Sequence, residues 1–459
     1  MQRKNPLLIG TFILTVTGLI SRFIGFFYRI FLSKVFGAEG MGIYQLISPV
    51  LALSFAFTVS GIQTAISKYV AGETTTRDYK TSFRTLWMGF LLSMALSIGC
   101  MLYIYHYSEW IAVTLLFEKR TAPLLRILAL SIPMATVHSC INGYFYGIKR
   151  TAIPALSQMA EQIVRVGSVY LIYYVCQSRG MTPSISFAVV GLVIGESAAM
   201  LVSVIAILIR YVHLFDRKSA MRPIYAKPLY SKSSLTKKYS QITENLLRLS
   251  IPLSANRVLI NILQSIEAVY IPNRLMAYGL NNADALGVYG VLTGMSLPLI
   301  LFPSAITNSI AVLLLPIVSE ADARNDEHTV TKTILTSIKY GLLLGFACTA
   351  LFLLLGRAAG RILFDSELAG SFILTLSFIC PFMYIASTLN SILNGLGKTS
   401  LTFCYSIVSL LLRLLFVFFA IPIYGIKGYL WGMLASQILQ TFLCTVSALR
   451  ISLRTKRTV

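Results

Sequence analysis

Apolar residues in this chain fall in blocks of 18 to 25, and blocks of that length decide what it can fold into. A helix rises 1.5 Å per residue, so about 20 apolar residues cross a hydrocarbon layer of roughly 30 Å. Twelve such spans are read near 7–30, 43–67, 85–106, 122–146, 152–176, 186–209, 249–272, 286–318, 333–356, 370–394, 400–421 and 426–449. The eighth is longer than a bilayer needs, and Pro298 and Pro303 predict a kink in it. Only 12% of the residues are charged, against roughly 25% in a soluble domain. Soluble enzyme, disordered protein and secreted disulfide scaffold are excluded. The first span has Arg3 and Lys4 before it, as a signal peptide would, but no small-residue cleavage site follows, so it is read as a retained helix.

The net charge of +22 is mostly topological. With the N-terminus in the cytoplasm, inside segments hold 25 Lys and Arg and outside segments hold 8. Basic residues mark the cytoplasmic side, so both termini are expected there. No folded domain is left over to bind nucleic acid, and none is expected to. The seven cysteines (Cys100, Cys140, Cys176, Cys348, Cys380, Cys404, Cys444) all fall within spans, with no CxxC or Cys/His cluster. They imply no disulfide framework and no zinc site, and no cofactor is expected. Of the four histidines only His138 lies well inside a span, where a packing role is the expected one.

The chain repeats itself. Ala38, Gly42 and Tyr44 recur as Ala283, Gly287 and Tyr289, 245 residues on. Pro133, Ser139, Asn142, Gly147 and Arg165 recur as Pro381, Ser387, Asn390, Gly395 and Arg413, at a constant offset of 248. Six spans per copy leave both copies in the same orientation, the parallel-repeat plan of alternating-access transporters. The expected architecture is an all-α polytopic membrane protein of about twelve transmembrane helices in two six-helix parallel repeats. Its lobes are expected at 1–211 and 248–459, joined by a basic, solvated cytoplasmic linker over 212–247.

Charges inside spans are costly and normally face a partner or a wet cavity. Six arginines lie there (Arg22, Arg29, Arg126, Arg165, Arg257, Arg413) with three acids (Glu161, Glu196, Glu267). Arg22 and Arg29 share one face of the first span, two turns apart. Arg22 is assigned to a cavity. Arg29 stands nearer the outer interface, where reaching lipid headgroups is an equal alternative to binding substrate. Glu161 and Arg165, at i and i+4, are expected to pair. Arg413 lacks the equivalent acid, since Ser409 stands four residues before it, so its counter-charge must come from Glu196, Glu267 or a substrate anion. Arg257, Asn261 and Gln264 form a polar stripe on the seventh span, with Glu267 one step round. Arg126 is assigned to the outer rim. This positive excess suits an anionic substrate that guanidinium forks can grip.

At this point the residues resemble a known family. Ile20-Ser21-Arg22-Phe23-Ile24-Gly25-Phe26-Phe27-Tyr28-Arg29, Leu292-Thr293-Gly294-Met295-Ser296-Leu297-Pro298 and Leu393-Asn394-Gly395-Leu396-Gly397-Lys398 are similar to the stage V sporulation protein B-like flippases. These belong to the multidrug/oligosaccharidyl-lipid/polysaccharide (MOP) exporter superfamily. The resemblance implies a MOP/MATE-like V-shaped bundle that opens alternately to each side. In the related lipid II flippases a Ser-Arg-x-x-Gly-Phe motif carries the cavity arginine, and it matches Ser21, Arg22, Gly25 and Phe26. Two features depart from those flippases. Thr293-Gly294 stands where they have an Asp-Arg pair, and twelve spans are read here where they commonly have fourteen.

The expected function is export of a polyprenyl-pyrophosphate-linked saccharide, the lipid-linked peptidoglycan precursor used for spore cortex or cell wall, by alternating access. Substrate contacts are assigned to Arg22, Arg29, Arg257, Asn261, Gln264 and Arg413, and charge-pair or coupling roles to Glu161, Arg165, Glu196 and Glu267. The expected partners are the lipid-linked oligosaccharide and membrane lipids, around a monomer in the bacterial cytoplasmic membrane, including the membranes around a forespore. The alternative is a MATE-type cation-coupled antiporter of drugs or metabolites, which would use one of the three acids. A membrane glycosyltransferase or lipid-processing enzyme would need catalytic motifs on sizeable loops, and no HExxH or GxSxG is present.

Overall fold

The computed structural model describes the backbone of residues 6–75, 79–220, 232–324 and 326–455. Helix follows helix throughout: α1 (Pro6–Phe55), α2 (Gly61–Thr75), α3 (Tyr79–His106), α4 (Ala122–Ala129), α5 (Ser131–Gly147), α6 (Ala152–Ser178), α7 (Ser186–Ala220) and α8 (Lys232–Ala277). Then come α9 (Asn282–Gly290), α10 (Ser304–Ala323), α11 (Glu327–Phe364), α12 (Glu367–Leu376), α13 (Cys380–Gly395), α14 (Thr399–Leu415) and α15 (Ile426–Thr455). The chain is a multi-pass membrane protein.

Among the described residues, length and apolar character single out ten spanning helices, or eleven if a bent pair counts as one. The twelve expected spans are all helical, and three local effects account for the lower count. The first two merge into one span, Phe12–Thr74, which bends within α1 at Gly37, where φ is 66° and ψ −174°. The fourth breaks at Leu130 into α4 and α5, which meet at a 42° bend. Pro133 near the start of α5 removes a backbone donor there. The fifth, α6, is 27 residues long, but Glu161, Gln162 and Arg165 dilute its apolar run. The eighth gives one back. It splits into Asn282–Leu301 and Ser304–Ala323 around Pro303, so the expected kink is a full break.

Part of the basic connector is helical. Helix α7 continues to Ala220 and α8 begins at Lys232, so both ends of 212–247 are helical. Arg222 and Lys227 lie outside the described residues. Asp326 starts α11 by accepting the Thr329 hydroxyl at 2.6 Å and its N–H at 3.0 Å. Those two bonds hold the Asp326 carboxyl below the usual carboxylate range.

Contacts divide the chain into two compact units, one of Met1–Gly25 with Ile47–Ile262, the other of Phe26–Leu46 with Leu263–Val459. Relative to the lobes expected from sequence, 26–46 belongs with the second unit and 248–262 with the first.

Inside each unit the repeat is a packing rule. Ile141, Tyr144 and Phe145 of α5 fill the core of the first unit. Leu389, Ile392 and Leu393, each 248 residues on, fill the core of the second. A Cβ on Gly147 would lie 2.8 Å from the Ser67 carbonyl oxygen, and one on Gly395 would lie 2.8 Å from that of Leu315. Ser67 and Leu315 are again 248 apart. Both helices then end on a left-handed residue, Lys149 (φ 60°) and Gly397 (φ 72°). Lipid tails supply no hydrophobic drive between helices, so close backbone approach at small residues carries the packing. Gly395→Ala should therefore lower unfolding stability by about 1–3 kcal/mol, read by thermal denaturation in detergent, with Gly72→Ala, which meets open space, as the neutral control.

Candidate functional site

Among the described residues, the second unit holds one buried ion pair. Arg413 on α14 reaches Glu267 on α8, Nε to Oε1 at 2.5 Å and Nη2 to Oε2 at 2.7 Å. The Tyr429 hydroxyl donates to the same carboxylate at 2.6 Å. One cation, one anion and one hydroxyl satisfy each other. Glu267 is thus the counter-charge that Arg413 required, and the guanidinium is held by protein.

The first unit treats the repeat-equivalent arginine differently. Arg165 is ion-paired with Glu161, one turn earlier on α6. Glu196 on α7 also stands 3.7 Å from Arg165 Nη2. Gly195 makes this possible, because a Cβ there would meet the Glu161 carbonyl oxygen at 2.8 Å and Arg165 Cβ at 2.9 Å. The two helices touch at that point, and the next residue, Glu196, is delivered to the pair. From α5, His138 Nε2 closes on Glu196 Oε2 at 2.8 Å. Asn142, one turn along, places its amide nitrogen 3.4 Å from His138 Nδ1.

Ligand atoms of His138, Glu161 and Glu196 all lie within 4.8 Å of one another, close enough in distance for a metal ion. The donor set argues otherwise, since Arg165 is paired with Glu161 and stands 3.7 Å from Glu196, a cation already beside both carboxylates. His138 is therefore partnered to an acid rather than packed against apolar neighbours. Nothing in its sequence surroundings marks this. The 58-residue separation from Glu196 is closed only by the fold.

The remaining intramembrane arginines are mostly engaged. In the second unit Arg29 donates to the Thr293 carbonyl at 3.4 Å. That carbonyl lies in the wide-turn segment Val291–Ser296, whose i→i+5 winding displaces backbone hydrogen bonds. Arg29 is thus turned onto protein rather than left to headgroups. In the first unit Arg257 contacts the Ser60 hydroxyl and donates to the Ser60 carbonyl at 3.0 Å, at the end of a second such segment, Ala56–Ser60. Asn261 donates to the Arg257 carbonyl of its own helix at 2.8 Å. Arg126 pairs with Glu109 at 2.9 Å, both side chains well exposed. Gln264 is exposed.

Arg22 is different. It is exposed, and it makes no hydrogen bond or ion pair among the described residues. Its neighbours fix the helix that carries it: the Ser21 hydroxyl lies 3.7 Å from the Met159 sulfur, and Gly25 faces Gln162, both on α6.

Comparison with known proteins agrees with this architecture. The family described as polysaccharide biosynthesis protein matches residues 7–321, and the one described as MatE matches 238–419. Stage V sporulation protein B of Bacillus subtilis (strain 168) is 28% identical over 459 residues, spanning 99% of this chain and 86% of that protein. The lipid II flippase MurJ of the same organism is 27% identical over 211 residues, 43% of this chain and 39% of that one. Among solved structures, an inward-facing multidrug resistance MATE family transporter of the MOP superfamily superposes with a TM-score of 0.71 at 14% identity, covering 95% of this chain and 96% of the other. The fold is that of MOP transporters.

Proposed function

We propose, from the premise that the chain belongs to the polysaccharide biosynthesis protein family, that it is a flippase for a polyprenyl-pyrophosphate-linked saccharide, the lipid-linked peptidoglycan precursor being the favoured substrate. Similarity to stage V sporulation protein B and to a lipid II flippase supports that substrate class. The observation that carries it is Arg22: five of the six intramembrane arginines are bound by protein groups, and Arg22 has no partner among the described residues. A cation in that state is what a pyrophosphate needs, because its oxygens accept paired guanidinium N–H bonds and repay the cost of a charge within the membrane.

The polyprenyl tail would stay in lipid while the head crosses, and no covalent chemistry is required of the protein. Arg257, Asn261 and Gln264 are further candidates for the head, with Arg29 and Arg413 available only if their protein partners let go. On this reading the protein works as a monomer in the bacterial cytoplasmic membrane with both termini inside. It is not an enzyme.

The test is translocation of fluorescent lipid II in proteoliposomes by wild type and Arg22→Ala. No transport by wild type would end the proposal. Transport unchanged by Arg22→Ala would remove Arg22 from it. The MatE match over 238–419 favours a second reading, a cation-coupled antiporter of small molecules. Saturable efflux of a cationic dye without lipid II movement would select it.

A further inference from the structure

The two units neutralise equivalent arginines with unequal numbers of acids, and the difference points to a ligand. In the second unit Arg413 meets Glu267 alone. In the first, Arg165 meets Glu161 and Glu196. With both carboxylates ionised, two acids against one guanidinium carry one surplus negative charge inside the membrane, where an unneutralised charge is expensive. The position 248 residues beyond His138 is Ala386, so the second unit has neither the extra acid nor the base beside it.

We infer that His138, held between Glu196 and Asn142, is a reversible proton-binding site whose loading brings the Glu161–Arg165–Glu196 cluster to zero net charge. The hydrogen-bond pattern shows how the proton is accommodated. At 2.8 Å, the contact of Nε2 with Glu196 needs a hydrogen between the two atoms. With Nε2–H donating there, neutral imidazole keeps its lone pair on Nδ1, which faces the Asn142 amide nitrogen, a donor. A proton arriving on Nδ1 turns that atom into a donor as well. Asn142 then meets it by rotating its amide through a half turn, so that Oδ1 accepts from Nδ1–H.

The displaced amide N–H finds Ser203, whose hydroxyl lies 3.5 Å from Asn142 Oδ1 and 3.1 Å from the Ser157 hydroxyl. A hydroxyl can donate to one neighbour while accepting from another. Ser203 can therefore donate to Asn142 in the empty state, and in the loaded state accept from it while donating to Ser157. Ser157 passes its own hydrogen to the Ala199 carbonyl at 3.3 Å. Each state satisfies every group from His138 to Ser157, and no proton beyond the one gained is needed.

The charged groups joined to the imidazole and its acid are Glu161 and Arg165 from α6 and Glu196 from α7; α2 and α3 also pack on α5, and among the described residues no ion pair joins their side chains to His138. Arg22, on the helix that leans on α6 through Ser21, makes no ion pair with them.

The site itself is independent of the substrate. Its use, coupling proton entry to movement of an anionic head, rests on the flippase reading. The experiment therefore has two arms. In the first, full-length protein with isotope-labelled histidine is titrated in nanodiscs by NMR, with His138→Gln assigning the signal. The ring should take up and release one proton reversibly within the pH range over which the protein stays folded. Glu196→Gln should lower its proton affinity about tenfold or more, and Asn142→Asp, which supplies a charged acceptor, should raise it by a similar factor. Shifts of opposite sign cannot come from a common loss of fold. A ring that does not titrate there, midpoints unmoved by both variants, or a response to added zinc ion in place of pH would overturn the proposal. In the second arm, lipid II translocation is followed with and without an imposed pH gradient. Wild type should respond to the gradient and His138→Gln should not. A wild type that moves no lipid II removes the flippase reading and leaves the first arm to stand. One that moves it with no response to the gradient overturns the coupling.

Discussion

Replacing Arg413 with alanine should cost about 3–5 kcal/mol of unfolding stability, because Glu267 is then left charged in the core of its unit with only the Tyr429 hydroxyl for company. The pair is largely enclosed, its side chains 17% and 7% exposed, so solvent cannot replace the missing guanidinium. Glu267→Ala should be damaging for the mirror reason. Removing both together, as Arg413→Met with Glu267→Leu, should restore most of the loss, since a buried ion pair replaced by apolar groups of similar volume is close to neutral. Chemical denaturation of the four proteins in detergent closes the cycle. A double variant no better than the singles would show that the charges act separately rather than as a pair.

The second large effect concerns transport rather than stability. Arg22→Ala should reduce lipid II translocation roughly ten- to hundredfold, the loss expected when one charge-assisted contact of about 1.5–3 kcal/mol is taken from the transition state. Stability should hardly change, because the guanidinium makes no bond among the described residues that its loss would break. Arg22→Lys should recover only part of the rate, since an ammonium keeps the charge but cannot present the planar fork that grips a pyrophosphate. Arg126→Ala is the matched control. Its pair with Glu109 is exposed at both ends, and such a pair contributes at most about 1 kcal/mol. Equal losses in the two variants would indicate a general demand for positive charge rather than a contact made by Arg22.

Much of the fold was legible because membranes restrict the options. Apolar blocks long enough to span must be helices, and all twelve expected spans are helical. The repeat was legible because identical residues recur at fixed spacing, and Gly147 and Gly395 show why: each meets a neighbouring backbone that tolerates no side chain. Helix ends were less visible. The break at Pro303 follows from its lost donor, whereas the merger across Gly37 depends on a single backbone angle that composition does not reveal. Within the candidate site, Glu161 and Arg165 were readable as neighbours on one helix. Glu196 was readable as a charge-pair or coupling candidate, but its meeting with His138 was not, because that depends on how closely α7 settles on α6 at Gly195, and side-chain spacing along one helix carries no information about another. Glu267 stood as one of three possible partners for Arg413, and packing decided among them.

The odd number of acids around Arg165 also has an electrical meaning. An ion pair such as Glu267 with Arg413 is a dipole, and displacing it across a membrane potential does little net work. The cluster around Arg165 is a monopole whenever His138 is neutral, and carrying one elementary charge through the whole field is worth about 2.3 kcal/mol for each 100 mV. Of the two repeat-equivalent arginine sites, only the one around Arg165 therefore responds to voltage as well as to substrate, and its contribution is lost each time the imidazole takes up its proton.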